Sequence, residues 1–441
     1  PIVYYIDPST PKKWIPYLIQ GVNDWAQAFE KAGFKNAIYA LEAPVDDQEF
    51  SLWDARHNAI IYKPSLVQNA SGPHVHDPRS GEILEAHVNW YHNVAQLVRD
   101  WYMVQAGPVD ARARKMIFED SLMGKLIRFV CSHEIGHTLG LMHNFAASSS
   151  IPVDSLRSRT FLEKNGFCPS IMDYARFNYV AQPEDSVGET GLFPRIGVYD
   201  EWAIEWGYRW WPSHSRPVND EKIVMSEWVS EKIGKDKRLS FGTTELFDIA
   251  DPRIQAEDLG DDPIKSSTYG IENLKRIVPN ILEWTREPQA NYRSAQKLHS
   301  VLVFLQYYKY LTHVSKNIGG MLRNWVKRDQ NEKVYGYPDR ETQRSSVQFL
   351  HRELFETPEW FIRKDLFPYI GTNSLEGILS IQRFILFDII SHRAYTNLTL
   401  FQTMYAGNSY SFSELIDDVE KGICKELRSK TKISLSRRSL E

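Results

Sequence analysis

His133-Glu134-Ile135-Gly136-His137-Thr138-Leu139-Gly140-Leu141-Met142-His143 is the stretch from which the rest of the chain is read. It has the form HExxHxxGxxH, an extended zinc-hydrolase signature. Positions four apart share one face of a helix, so His133 and His137 can offer imidazoles to one ion. Glu134 stands one step round, beside that ion, where it can take a proton from a water held there. Gly140 permits a positive φ and a sharp exit from the helix. The chain then turns back and brings His143 as a third ligand. Three nitrogens leave one tetrahedral position open, the arrangement of a catalytic rather than a structural zinc site. The bland alternative is a helix with two satisfied histidines. HExxH alone is short enough to allow it; the added demand for Gly140 and His143 weighs against it.

Two downstream stretches extend the reading. Ser170-Ile171-Met172-Asp173-Tyr174 follows a loop containing Gly166 and Pro169. Here the chain resembles the metzincin clan, in which a tight turn carrying a methionine passes beneath the zinc site. The resemblance implies that Met172 is that methionine, a soft thioether on an irregular apolar floor. Tyr174 is spaced like the tyrosine of astacins and serralysins, which can approach the zinc or stabilise an oxyanion. A packed aromatic with a hydrogen-bonded hydroxyl is the competing account, and both stay open. Tyr199–Tyr208 then resembles the helix that closes metzincin catalytic domains, with Asp200 as candidate N-cap and Trp202, Ala203 and Trp206 on one face.

Asn144 and Phe145, directly after the third histidine, depart from the named families. Matrix metalloproteinases typically carry Ser there, adamalysins Asp, astacins Glu and serralysins Pro. The chain is most similar to a group of bacterial zinc-dependent metalloproteases called Met-zincins, from its opening strand to its helical second half. That resemblance implies an endopeptidase with one Zn²⁺ on His133, His137 and His143, Glu134 and Tyr174 as catalytic residues, and a peptide or protein substrate. It names no substrate. It also implies export to the periplasm, cell surface or medium. Two other functions remain in play: a catalytically silent, zinc-containing binding module, which intact Glu134 argues against, and a zinc hydrolase of a non-peptide amide.

Composition sets the outer bounds. The 441 residues are 42% hydrophobic and 24% charged, ordinary values for folded protein. The length suits two or three domains. A net charge of −4 gives no case for a nucleic-acid partner. No apolar run is long enough to span a membrane. The chain begins at Pro1 with no signal segment in view, which reads as a processed part of a longer protein. Cys131, Cys168 and Cys424 are too few for a disulfide scaffold; Cys131 and Cys168 could lie near each other, and the two read as buried free thiols.

The expected architecture is α+β. A metzincin-like catalytic domain over 1–212 combines a mixed sheet, the active-site helix and the Met-turn; a mainly helical domain fills 213–441. Strands are read at Ile2–Ile6, Ala37–Leu41, Ala59–Tyr62 and Ile83–Trp90, and one helix from Pro11 to Ala32. The zinc helix runs from about Asp120 to Gly140, capped by Asp120 or Ser121. The resemblance implies that Ile83–Trp90 is the edge strand bordering the cleft, to which a peptide adds as a further strand. His74, His76, His87 and His92 read as solvated or hydrogen-bonded rather than as a second metal site. Glu257–Asp262 reads as a loop or helix start rather than a calcium site. In the second half, Ser213–Pro217 is a linker, and Val224–Leu239 and Leu246–Ile249 are short extended pieces. Ile264–Trp284, Ala290–Trp325, Arg340–Glu356, Ser374–Thr396 and Phe412–Leu427 are helical, with Gly319-Gly320 kinking or ending the longest. The basic tail from Lys425 to Arg438 is a frayed end.

Overall fold

Three parallel pairings build the sheet that carries the site. Strand β1 (Ile2–Ile6) pairs with β2 (Ile38–Glu42) on one side and β3 (Asn58–Lys63) on the other, and β3 pairs with β6 (Ile83–Tyr91). On the far flank of β6 lie β4 (Ala70–Ser71) and β5 (His74–His76), both antiparallel to it. The sheet is therefore mixed, in the order β2-β1-β3-β6-β4 with β5 also on β6. Its strands alternate as expected: Tyr4 and Ile6 of β1 are buried, as are Ala86, Val88 and Trp90 of β6. The structure is a computed structural model and describes residues 1–211, 218–245, 250–287, 291–326, 333–405 and 407–425.

The expectation that Ile83–Trp90 is the edge is corrected. β4 and β5 cover its outer side, so the edge is 70–76. The helix expected over Pro11–Ala32 is two, α1 (Ile15–Asn23) and α2 (Ala26–Lys31). At the break the Trp25 amide bonds back to Val22 O in a tight turn. Its buried indole donates to Ser132 O at 2.8 Å.

After α3 (Val94–Ala106) comes the helix that carries His133, Glu134 and His137, α4 (Asp120–Thr138). Its N-cap is Glu119, in extended conformation, rather than Asp120 or Ser121; Asp120 pairs with Lys13 at 2.8 Å. α4 packs against α1, α3, β4 and β6. The Tyr4 hydroxyl meets Thr138 Oγ1 at 2.7 Å and ties the C-terminal end of α4 to the sheet. Burial of such a helix on many sides fixes its rotation, and with it the direction of every side chain it presents.

A short helix α5 (Arg159–Asn165) precedes α6 (Val198–Tyr208) and α7 (Val218–Lys235). α7 replaces the extended pieces expected at Val224–Leu239. Its acidic first turn (Asp220, Glu221) and basic last turn (Lys232, Lys235) suit the helix dipole. Trp228 then packs edge-on against Trp202 of α6, ring centroids 4.6 Å apart. Leu141, Val229 and Leu239 join the same apolar cluster.

The chain divides into Pro1–Glu245 and Leu246–Glu441. The division was expected at 212/213; packing of α7 and Leu239 on α6 carries the first unit on to Glu245. In the second unit the described elements are helices and a small ribbon pairing Leu322–Arg323 with Tyr335–Gly336. That ribbon occupies part of the helix expected over Ala290–Trp325; helical structure stops at Ser315, and Gly319 turns the chain at φ +64°. The helix expected over Ser374–Thr396 is two, Asn373–Ile389 and His392–Met404, because Ser391 caps a new start by accepting from the Ala394 amide at 3.3 Å. The readings at Ser213–Pro217, Leu246–Ile249 and most of the basic tail lie outside the described residues. No helix among the described residues is long and apolar enough to cross a membrane.

Candidate metal centre

His133 and His137 lie one turn apart on α4. The helix closes when the Leu141 amide bonds to Gly136 O at 3.1 Å, with Gly140 at φ +90°. That turn returns the chain and sets His143 beside the other two. Each imidazole spends its Nδ1 on an acceptor. His133 donates to Ile171 O at 2.7 Å, His137 to Leu141 O at 2.9 Å, and His143 to Glu245 Oε1 at 2.5 Å. Carbonyl and carboxylate oxygens can only accept, so the proton sits on Nδ1 in all three rings. All three Nε2 atoms are then bare lone pairs.

Those lone pairs converge. His143 Nε2 lies 3.3 Å from His133 Nε2 and 3.2 Å from His137 Nε2. Two acceptors at that distance cannot satisfy each other; they need a Lewis acid between them. Tetrahedral bonds of ~2.0–2.1 Å space their ligand atoms by ~3.3–3.4 Å, so the spacing fits a tetrahedral ion. The three histidines can together hold a metal. Burial, then the neighbouring His137 and His143, hold His133 well below the ordinary histidine range. Burial also lowers His137.

Glu134 is buried beside them. Burial pushes its carboxyl up to about 7, opposed by a hydrogen bond from the Gly72 amide and by the charge of Arg176. Gly72 joins β4 to β5, and its backbone lies directly on α4: a Cβ there would stand 2.1 Å from Glu134 O. Only glycine fits that approach. The edge of the sheet thus rests on the helix at the carboxylate.

Met172 is fully buried, with Sδ 2.2 Å from where a Cβ on Gly136 would stand. It therefore lies under the turn that separates the two helix-borne histidines. Tyr174 is half-buried, its ring 4.3 Å from that of His143 and 5.4 Å from that of His133. Arg176, at φ +58°, lays its guanidinium over the rings of Trp101 and Tyr174, at 3.5 and 4.2 Å. Asp200 is not the cap of α6; Gly197 is. Instead the buried Asp200 carboxylate accepts from Ser170 Oγ at 2.7 Å and from the Ile171 and Gly197 amides at 2.8 Å each. It fixes the start of the Met172 segment.

The histidines at 74–92 do not converge. His74 meets His137 O at 3.0 Å, His87 bridges His57 O and Glu85, and His92 meets the Tyr62 hydroxyl. Among the described residues His133, His137 and His143 are the one metal-capable group. Asp262 caps the helix Pro263–Ile277 by accepting from the Ile264 and Lys265 amides. Cys131 and Cys168 are buried, and none of Cys131, Cys168 and Cys424 is in a disulfide. The sequence reading gave no role to Gly72, Arg176 or Glu245. Nothing marks Gly72 or Glu245 locally, since each reaches the site from a distant segment.

The model of the Met-zincin family matches residues 115–431. No curated protein and no solved structure matches the chain.

Proposed function

We propose that this chain, which belongs to the Met-zincin family, is a zinc-dependent endopeptidase. One observation carries the reading: three bare imidazole nitrogens converge at tetrahedral spacing beside a buried carboxylate. Three neutral imidazoles at that spacing suit zinc. When bound, the ion supplies Lewis acidity toward water and the scissile carbonyl. Glu134 accepts the proton of the attacking water and returns it to the leaving amine. The Gly72 amide orients that carboxylate, and the neighbouring charge of Arg176 favours its ionised form. Tyr174, set between the ligand rings and Arg176, donates its hydroxyl to the developing oxyanion. Met172 forms the apolar floor that keeps His133 and His137 in place. The substrate adds as a short strand to the outer edge of the sheet, on one side of the break between β4 and β5.

Incubation of the purified chain with casein or a peptide library, with and without chelator, tests this. Cleavage that chelator abolishes and zinc restores is the expected result. Zinc bound without cleavage of any peptide points to a binding module. Cleavage restricted to non-peptide amides points to the other hydrolase class.

A further inference from the structure

The three ligands are not backed alike. His133 and His137 hold Nδ1 on main-chain carbonyls of segments adjoining the helix, whereas His143 reaches Glu245, 102 residues on. His143 also stands on a loop, past the turn at Gly140, and no helix fixes its ring. Besides the other two ligand rings, its ring neighbours are Phe145, stacked at 5.2 Å, and Tyr174, edge-on at 4.3 Å. Ring contacts alone do not choose between Nδ1 and Nε2. A hydrogen-bonded carboxylate does, because it selects the nitrogen that carries the proton.

We propose that Glu245 is a positioning residue of the metal centre, and that Asn144 is the latch that brings it there. The inference rests on the metal-centre reading above. Asn144, next to the ligand, is fully buried. Its amide nitrogen donates to Ser240 O and its amide oxygen accepts from the Gly242 amide, both at 2.9 Å. Its backbone N–H meets Met172 O at 3.1 Å. One residue therefore joins the ligand loop, the floor and the segment 240–242. Three residues on, the Glu245 amide bonds to Thr243 Oγ1 at 3.2 Å, and the turn aims the carboxylate at His143.

The identity of residue 144 follows from these bonds. The latch needs a donor and an acceptor on one short side chain. Aspartate and glutamate lack the donor, proline lacks both, and serine cannot span two partners two residues apart. The departure from Ser, Asp, Glu and Pro after the third histidine is thus tied to a structural part: a carboxylate supplied from 240–245. That carboxylate holds the Nδ1 proton and frees Nε2 for the metal.

Zinc affinity of the full chain, measured by competition with a chromophoric chelator, tests the proposal. Glu245→Ala should weaken zinc about 10- to 100-fold. Glu245→Gln, whose amide oxygen can still accept from Nδ1, should recover part of that loss. The Glu245 side chain is 40% exposed, so the melting temperature of the metal-free protein should not change in either variant. Asn144→Ser should lose comparable affinity, and the double variant should lose little more than either single one. Wild-type affinity in Glu245→Ala overturns the proposal. So does a loss of affinity matched by a falling metal-free melting temperature, which marks a merely structural role. Additive losses at 144 and 245 overturn the latch. A wild-type chain that binds no zinc overturns the metal-centre reading itself, an outcome distinct from wild-type binding with an indifferent Glu245.

Discussion

His133 and His137 rise from a buried helix and lean on main-chain oxygens; His143 sits on a loop and leans on a half-exposed side chain from the end of its unit. The first arrangement is rigid because α4 is pinned by Tyr4, Trp25 and Gly72. Any change to the helix is transmitted to two ligands and the base together. The second is adjustable, since the ligand, its carboxylate and the latch are separate parts. The contrast separates two costs. Disturbing the helix half costs fold and chemistry, while disturbing the loop half costs affinity for the ion.

The sharpest test of the helix half is Glu134→Gln. The amide keeps the shape and an acceptor for the Gly72 N–H but cannot take a proton. Turnover should fall ~10²-fold or more with zinc content unchanged; wild-type turnover would end the assignment. Tyr174 touches one ligand from each half. Tyr174→Phe should lower kcat by up to ~10²-fold and move KM less, as for a contact made chiefly in the transition state. An unchanged kcat leaves Tyr174 as packing alone.

Gly72→Ala probes the rigidity itself. A methyl 2.1 Å from Glu134 O must push the sheet edge off the helix, at ~1–3 kcal/mol in denaturant unfolding. An unaffected midpoint would mean that the helix half yields after all.

Asp200 gives the comparison a pH dependence. Burial raises it from 3.8 to about 7, outweighing its three donors. The folded chain keeps a proton there that the unfolded chain releases above about pH 4. Stability from this group is therefore full below about pH 4 and is lost as pH rises through about 7. Asp200→Asn cannot ionise, so the fall in melting temperature between about pH 5 and about pH 8 should be shallower than in wild type. Asp173, also raised by burial, remains in the variant, so some slope should persist. An identical slope in both proteins would refute the assignment. Met172→Leu should matter least: the volume is nearly conserved, so less than ~1.5 kcal/mol of stability is lost and zinc stays bound. Loss of zinc in this variant would show that the sulfur does more than fill space.

What could be read in advance follows the same division. The ligands and base span only residues 133–143, so spacing alone brings them together. Strands β1, β3 and β6 announce themselves by β-branched and aromatic alternation. β4 and β5 do not, being two and three residues long and broken by Gly72-Pro73, and nothing in the pattern counters the resemblance, which points to β6 as the edge. Helix α7 was misread because Val224–Leu239 scatters apolar residues among charges; its helical character lies in end charges and in Trp228, whose partner Trp202 is 26 residues earlier. Asp200 was read as a cap because caps are local, whereas two of its three donors come from residues 170–171. Glu245 offered no signal at all. Its counterpart did: the mismatch at Asn144 was visible, but its meaning needs the fold.

The broken edge of the sheet also bears on solubility. An exposed strand is a template for the same strand of another copy. Here the outer rim offers two residues at Ala70–Ser71 and three at His74–His76. Between them Pro73 has no N–H to give, and the Gly72 N–H is already committed to Glu134. A long foreign strand cannot run in register across that gap, while a short one can dock on either side. The interruption that lets the rim reach the carboxylate also guards this rim against edge-to-edge aggregation.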